Sequence, residues 1–169
     1  MKKMLIWIFL SVSLNAFAEE RKIFLAKVSL DRKDTASIKR GATFFAANCM
    51  SCHTLVYLRY NKLAKEAGIT YERMPLNVKT WPFGIKPPDL SLEAKVRGVD
   101  WIYTYLHSFY VDTTRPTGFN NLLVMNTVMS GILMPYQGQQ FLTDTKEGQW
   151  YDILVLQNIL FIETEFLNT

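Results

Sequence analysis

Thiols and imidazoles are scarce in this chain: two cysteines and two histidines in 169 residues. So small a stock excludes a disulfide-stapled scaffold. It also makes a four-ligand structural zinc site a poor reading, because only His107 stands outside the one cluster that holds the rest. Long basic runs are absent too, none exceeding two Lys/Arg residues. The formal charge of +4 includes Lys2 and Lys3 at the extreme N-terminus. Neither the charge nor its distribution gives a nucleic-acid footprint. No uninterrupted apolar span reaches the ~20 residues a bilayer crossing requires, and no internal repeat is present. What the chain does have is apolar and aromatic residues in the proportions of a folded domain, 49% and 14%.

The N-terminus reads as an export signal. "MKK" is a charged start, "MLIWIFLSVSL" an apolar core and "AFA" a small-residue cleavage site. Residues 1–18 are therefore expected to be a signal peptide and 19–169 the mature domain. Both thiols lie together in "AANCMSCHTL", as Cys49 and Cys52 with His53 directly behind. A thioredoxin-like use of C-x-x-C wants a βαβ pattern around it, and the flanks give none.

Around the motif the pattern is helical. Asp34, Thr35 or Ser37 is placed to cap a helix through "ATFFAANC", with Ile38, Ala42 and Phe45 at helical spacing. Gly41 inside it suggests a close helix–helix approach. "LVYLRYNKLAKEAG" reads as a second helix closed by Gly68. Ser91 is expected to cap a short helix over "LEAKVRG", and "VDWIYTYLHSFY" reads as a third strong helix. The alternation in "KIFLAKVSL", residues 22–30, suggests an extended arm. Residues 69–90, with Pro75, Pro82, Pro87 and Pro88, read as loop, as does "VDTTRPTGFNN". The tail 150–169 receives no assignment. A mainly α domain with long Pro-rich connections needs something large to hold those connections in place.

C-x-x-C-H is the attachment signature of c-type haem. Cys49 and Cys52 stand one helical turn apart, so both sulfurs reach the vinyl groups on one porphyrin edge, and His53 supplies the proximal nitrogen. The sixth position is open to Met74, Met125, Met129, Met134 or His107. A methionine there raises the reduction potential and suits electron transfer, whereas an open position suits a peroxidase-like enzyme. Methionines in apolar stretches also serve simply as core fillers.

"RGATFFAANCMSCHTLVYLRYNKLA", "KPPDLSLEAKVRGVDWIYTYL" and "RPTGFNNLL" together resemble the cytochrome c1 family, the haem c subunit of the respiratory cytochrome bc1 complex in its proteobacterial form. The resemblance runs from about residue 36 to about residue 138. It implies a c-type cytochrome fold, one covalent haem c and His/Met ligation. Counting without gaps between Asn120-Asn121 and Gln137-Gly138 selects Met129 as the sulfur ligand, with Met134 as the alternative; Ser130 stands where the family usually has proline. The resemblance also puts Arg97 near a haem propionate and Pro88, with Pro87, along the haem edge. Implied partners are a Rieske iron–sulfur protein, cytochrome b and a soluble cytochrome c, on the periplasmic side of the inner membrane. Such a subunit carries electrons and makes no bond in a substrate by itself. Relatives end in an anchor helix. Gln157, Asn158, Glu163 and Glu165 interrupt the tail here, so an anchor is not expected in this chain, and a soluble periplasmic carrier is the alternative reading.

Overall fold

A computed structural model describes residues 23–144 and 151–155; the expected signal peptide and most of the tail lie outside them. Helix α1, Thr35–Asn48, begins where the carboxylate of Asp34 accepts a hydrogen bond from Ser37 N at 2.9 Å, a cap worth ~1 kcal/mol. Its last turn delivers the chain into the cysteine motif, with Cys49 N donating to Phe45 O. Ala42, Phe45 and Ala46 pack against a buried cluster of Met50, Ala64, Ile69 and Met74, with Leu55, Val56, Leu58 and Leu76 around it. Gly41 does not serve a close approach: a Cβ there would meet nothing within 4 Å.

The expected single helix over 55–68 is two pieces. A 3-10 turn, Val56–Leu58, precedes α2, Lys62–Glu66. The division falls at Asn61, whose side chain accepts from Ala64 N at 2.9 Å and so starts a new helix instead of continuing the old one. Gly68 closes α2 as expected. At φ +85° it lets its own N–H reach Lys65 O while Ile69 N reaches Ala64 O, the paired bonds of a Schellman end. Residues 69–92 then run as turns and loop.

Ser91 is not a helix cap. Helix α3, Glu93–Val96, starts at Leu92 with no side-chain cap, and Ser91 Oγ accepts from Tyr57 N instead. Helix α4, Val99–His107, carries the third apolar stripe. The N-terminal arm runs extended beside it. Val28 N and Lys27 Nζ both donate to the Asp100 carboxylate, and Ala26 N donates to Thr104 Oγ1. The helix expected to run to Tyr110 stops at His107, and its last residues and the expected loop form a short antiparallel hairpin: β1, Phe109–Val111, pairs with β2, Phe119–Asn121, in the register Phe109↔Asn121. Helix α5, Met134–Gln137, follows a long loop. Beyond it β3, Gln140–Asp144, lies beside β1 and pairs with β4, Tyr151–Val155. The architecture is mainly α, with two two-stranded ribbons. No helix among the described residues is long and apolar enough to cross a membrane.

Candidate functional site

Both thiols are free. Cys49 is half-buried and Cys52 exposed. Burial, with some help from the neighbouring Cys52, pushes the Cys49 thiol above its ordinary value. His53 N donates to Cys49 O at 2.9 Å, so the motif continues the helical path of α1 for one more turn. That turn puts Cys49, Cys52 and His53 on a single loop of backbone.

The segment 88–91 holds the histidine and the chain after it. His53 Nδ1 lies 2.9 Å from Pro88 O. A carbonyl only accepts, so Nδ1 carries the proton and Nε2 keeps its lone pair for a metal. Asp89 bonds the residues that follow: its carboxylate accepts from Thr54 Oγ1 at 2.6 Å, Val56 N at 3.0 Å and Ser91 N at 3.0 Å. Burial alone would raise this carboxyl; the hydrogen bonds from Ser91, Thr54 and Val56 outweigh it and hold the group below its usual range. Leu90 N donates to Thr54 O beside a parallel bridge between Thr54 and Asp89. Pro88 thus contributes a carbonyl oxygen, which a reading of its side chain did not suggest.

The four methionines considered for the sixth position separate clearly. Met74 belongs to the buried cluster. Met134 is 8% exposed and packs where a Cβ on Gly131 would fall, beside Phe109. Met125 is exposed. Met129 is half-buried, and its Sδ lies 3.6 Å from Tyr105 Oη. The loop bearing Met129 hangs from two asparagines. Asn121, fully buried, accepts from Leu123 N, Val124 N and Ser108 Oγ and donates to Tyr105 O. Asn120 accepts from Asn126 N at 2.8 Å and donates to Asp112 Oδ2 at 3.0 Å. Asn126 sits at φ +62°, a conformation asparagine tolerates better than most residues. Arg115 fixes it further by donating to its carbonyl.

One stripe along α4 and the residues flanking it serves this loop. The Arg97 guanidinium lies 4.3 Å over the Trp101 ring, Trp101 stacks on Tyr105 at 5.0 Å, and Tyr105 meets Phe109 edge-on at 5.2 Å. Arg97 also pairs with Glu93 at 2.8 Å and is partly exposed. Burial raises the Tyr105 phenol, against the pull of Thr127 and Arg97. His107 stands two residues on from Tyr105, about 200° around the helix. Its Nδ1 donates to Gln137 Oε1 at 2.8 Å and its ring lies 4.3 Å from Tyr103, so it is engaged away from Met129. Burial lowers its pKa, partly offset by the Gln137 bond. The two segments are joined at α1: Tyr136 in α5 donates to Asn48 Oδ1 at 2.7 Å and packs on Phe44. Among the described residues, no group of three or more His, Cys, Asp or Glu is placed to hold a metal ion without such a cofactor.

Two unpaired thiols one turn apart and an imidazole with its outer nitrogen oriented form a donor set that fits haem c. With helices and long loops around it, that set defines a c-type cytochrome. Residues 24–82 match the cytochrome c1 family. The chain is 40% identical over 136 residues to a cytochrome c1 of Allochromatium vinosum, covering 69% of this chain and 55% of that protein. It is 34% identical over 161 residues to a protein of Nitrosomonas europaea named ammonia monooxygenase gamma subunit, covering 84% of this chain and 68% of that one. The chain belongs to the cytochrome c1 family, whose members carry one covalent haem c. It spans little more than half the length of the Allochromatium relative.

Proposed function

We propose that this chain is a one-electron carrier of a bc1-type complex, taking electrons from a Rieske iron–sulfur protein during quinol oxidation and passing them to a soluble cytochrome c. Membership of the cytochrome c1 family supports the reading. The single structural observation that carries it is the His53 Nδ1–H bond to Pro88 O, which fixes the tautomer a proximal ligand needs. The haem, when bound, supplies the redox couple. Cys49 and Cys52 would tether it, His53 and Met129 would ligate its iron, and Asp89 keeps the segment after His53 in place. Arg97, on the stripe that leads to Tyr105, is the residue proposed to meet a propionate through a charge-assisted bond, and Pro88 to border the porphyrin edge. The expected export signal supports a position on the periplasmic side of the inner membrane, beside cytochrome b.

The test is the mass and visible spectrum of the mature protein. One added haem that survives denaturation is expected, and it should be lost when Cys49 and Cys52 are both serine. The weak sulfur-to-iron band at the red end should vanish in Met129→Leu and persist in Met134→Leu. A mature chain without the added mass refutes the reading. Carbon monoxide binding as fast as in an open five-coordinate haem would move it toward a peroxidase-like enzyme. Recovery in the soluble fraction, with no quinol-oxidising subunits attached, would favour a free periplasmic carrier.

A further inference from the structure

Charge is divided unevenly along this chain. Residues 31–97 hold twelve Lys/Arg against six Asp/Glu, whereas residues 98–169 hold two against seven. The fold keeps the basic stretch together. The apolar cluster around Met50, Ala64, Ile69 and Met74 is drawn wholly from residues 42–76, while β1 packs with β2 and β3 within the second stretch. Pairing does not cancel the basic excess. Glu66 is taken by Lys39 and Lys62, and Glu93 by Arg97. The Asp89 oxygens accept from Thr54, Val56 and Ser91, and Asp34 caps α1. Lys79, Lys86 and Lys95 are exposed and make no ion pair among the described residues. Two of these lysines flank the segment that supports the cysteine motif. Lys86 stands two residues before Pro88, whose carbonyl meets His53. Lys95 stands on α3, four residues after Ser91, whose hydroxyl holds Tyr57 N. On the same stretch Tyr57, Ile85 and Val96 leave apolar surface exposed, and Cys52 is exposed too. A thioether formed at Cys52 would put the porphyrin edge it holds close to solvent.

We infer, on the carrier function proposed for the chain, that the face carrying Cys52, Lys86 and Lys95 docks the soluble electron acceptor, and that this acceptor is an acidic cytochrome c with carboxylates around its own haem edge. Exposed lysines with apolar side chains among them suit a small, short-lived interface. The charges speed and orient the encounter, and the apolar contact holds it for one transfer. The opposite charge of residues 98–169 makes the molecule dipolar, so an acidic face meets the basic stretch first. A basic acceptor is drawn to the other stretch, away from Cys52. An anionic membrane surface would find the same lysines, but it would cover the exposed tether and close the electron's exit.

The experiment mixes the reduced, haem-loaded full chain with two oxidised acceptors of one fold: a basic cytochrome c, and the same cytochrome with its lysines succinylated. Stopped-flow absorbance reads the transfer rate, and calorimetry on the oxidised pair reads binding, each from low to physiological salt. The succinylated acceptor should react faster at low salt, on the order of tenfold, and lose that advantage as salt rises. Lys86→Glu with Lys95→Glu should abolish the advantage and weaken binding of the acidic acceptor, with the visible spectrum and urea midpoint unchanged. Lys86→Arg with Lys95→Arg should behave as the native protein does. A faster reaction with the basic acceptor, or equal rates at low salt, overturns the inference. Phosphatidylglycerol vesicles are the third probe. If they bind the native chain and not the double Glu variant, while that variant still prefers the acidic acceptor, the face belongs to a membrane and the inference is likewise overturned. A mature chain without haem refutes the carrier function itself, and its spectrum shows this before any acceptor is added.

Discussion

Replacing Asn121 by alanine tests whether the loop that presents Met129 is held from one buried amide. The side chain is fully buried and makes four hydrogen bonds. Alanine leaves Leu123 N and Val124 N without their acceptor, at 2.9 and 3.1 Å in the native chain. Ser108 Oγ keeps a second partner in Tyr105 O, so it adds little. Two orphaned backbone donors at about 1–3 kcal/mol each, partly relieved by water entering the space, sum to about 3 kcal/mol. That is a large part of an ordinary domain's 5–15 kcal/mol. At a urea slope of ~2 kcal/mol per molar, the midpoint should fall by about 1.5 M, and the sulfur-to-iron band should weaken in the folded protein. Asn121→Asp separates the amide's two ends. Its carboxyl still accepts from the loop, but its second oxygen faces Tyr105 O. Burial and that lone-pair clash raise its folded pKa, so this variant should lose stability as pH rises above about 4, the unfolded carboxyl value, and regain it on acidification, when the protonated carboxyl can donate to Tyr105 O. A loss under 1 kcal/mol for Asn121→Ala, with the band intact, would show that the loop is held elsewhere.

Thiol chemistry offers a second check. In the haem-free chain, alkylation should label exposed Cys52 before half-buried Cys49. The Cys49 rate should keep climbing above pH 9, because burial raises its thiol; peptide mapping after brief iodoacetamide treatment reads the order. His107 should give acid sensitivity. Its folded pKa is lowered, so the unfolded chain binds more protons, and stability should fall as pH drops below about 6.5; His107→Gln should flatten that slope in urea titrations at stepped pH.

Local rules carried the sequence reading where one residue decides an outcome. Asp34 caps α1 and Gly68 closes α2 because a carboxylate and a missing Cβ act within a few residues. The Cys49–Cys52–His53 motif was legible for the same reason. Asn61 was missed because apolar spacing continues across it, although its side chain breaks the helix. The hairpin after α4 escaped because strands of three residues are too short to show alternation. Ser91 was assigned a cap by its place before a helix, but its hydroxyl is taken by Tyr57 N, 34 positions away in sequence. Distance along the chain also hid the contacts of Tyr105 with Thr127 and Met129, and no side-chain pattern announces that Pro88 acts through its carbonyl. Met129 came from family spacing alone, since no local pattern in the residues around it separates it from Met134.

The strap between Tyr136 and Asn48 ties the end of α1, one residue before Cys49, to a point seven residues past Met129. With Met129 as the proposed ligand, a sulfur that let go of iron would stay on a short leash. Its local concentration would be that of a tethered group, in the millimolar range for a short flexible span, and recapture would be an intramolecular event. A small molecule seeking the same coordination position would have to outcompete a rival that never diffuses away, so the strap would guard the proposed carrier against poisoning without touching the metal.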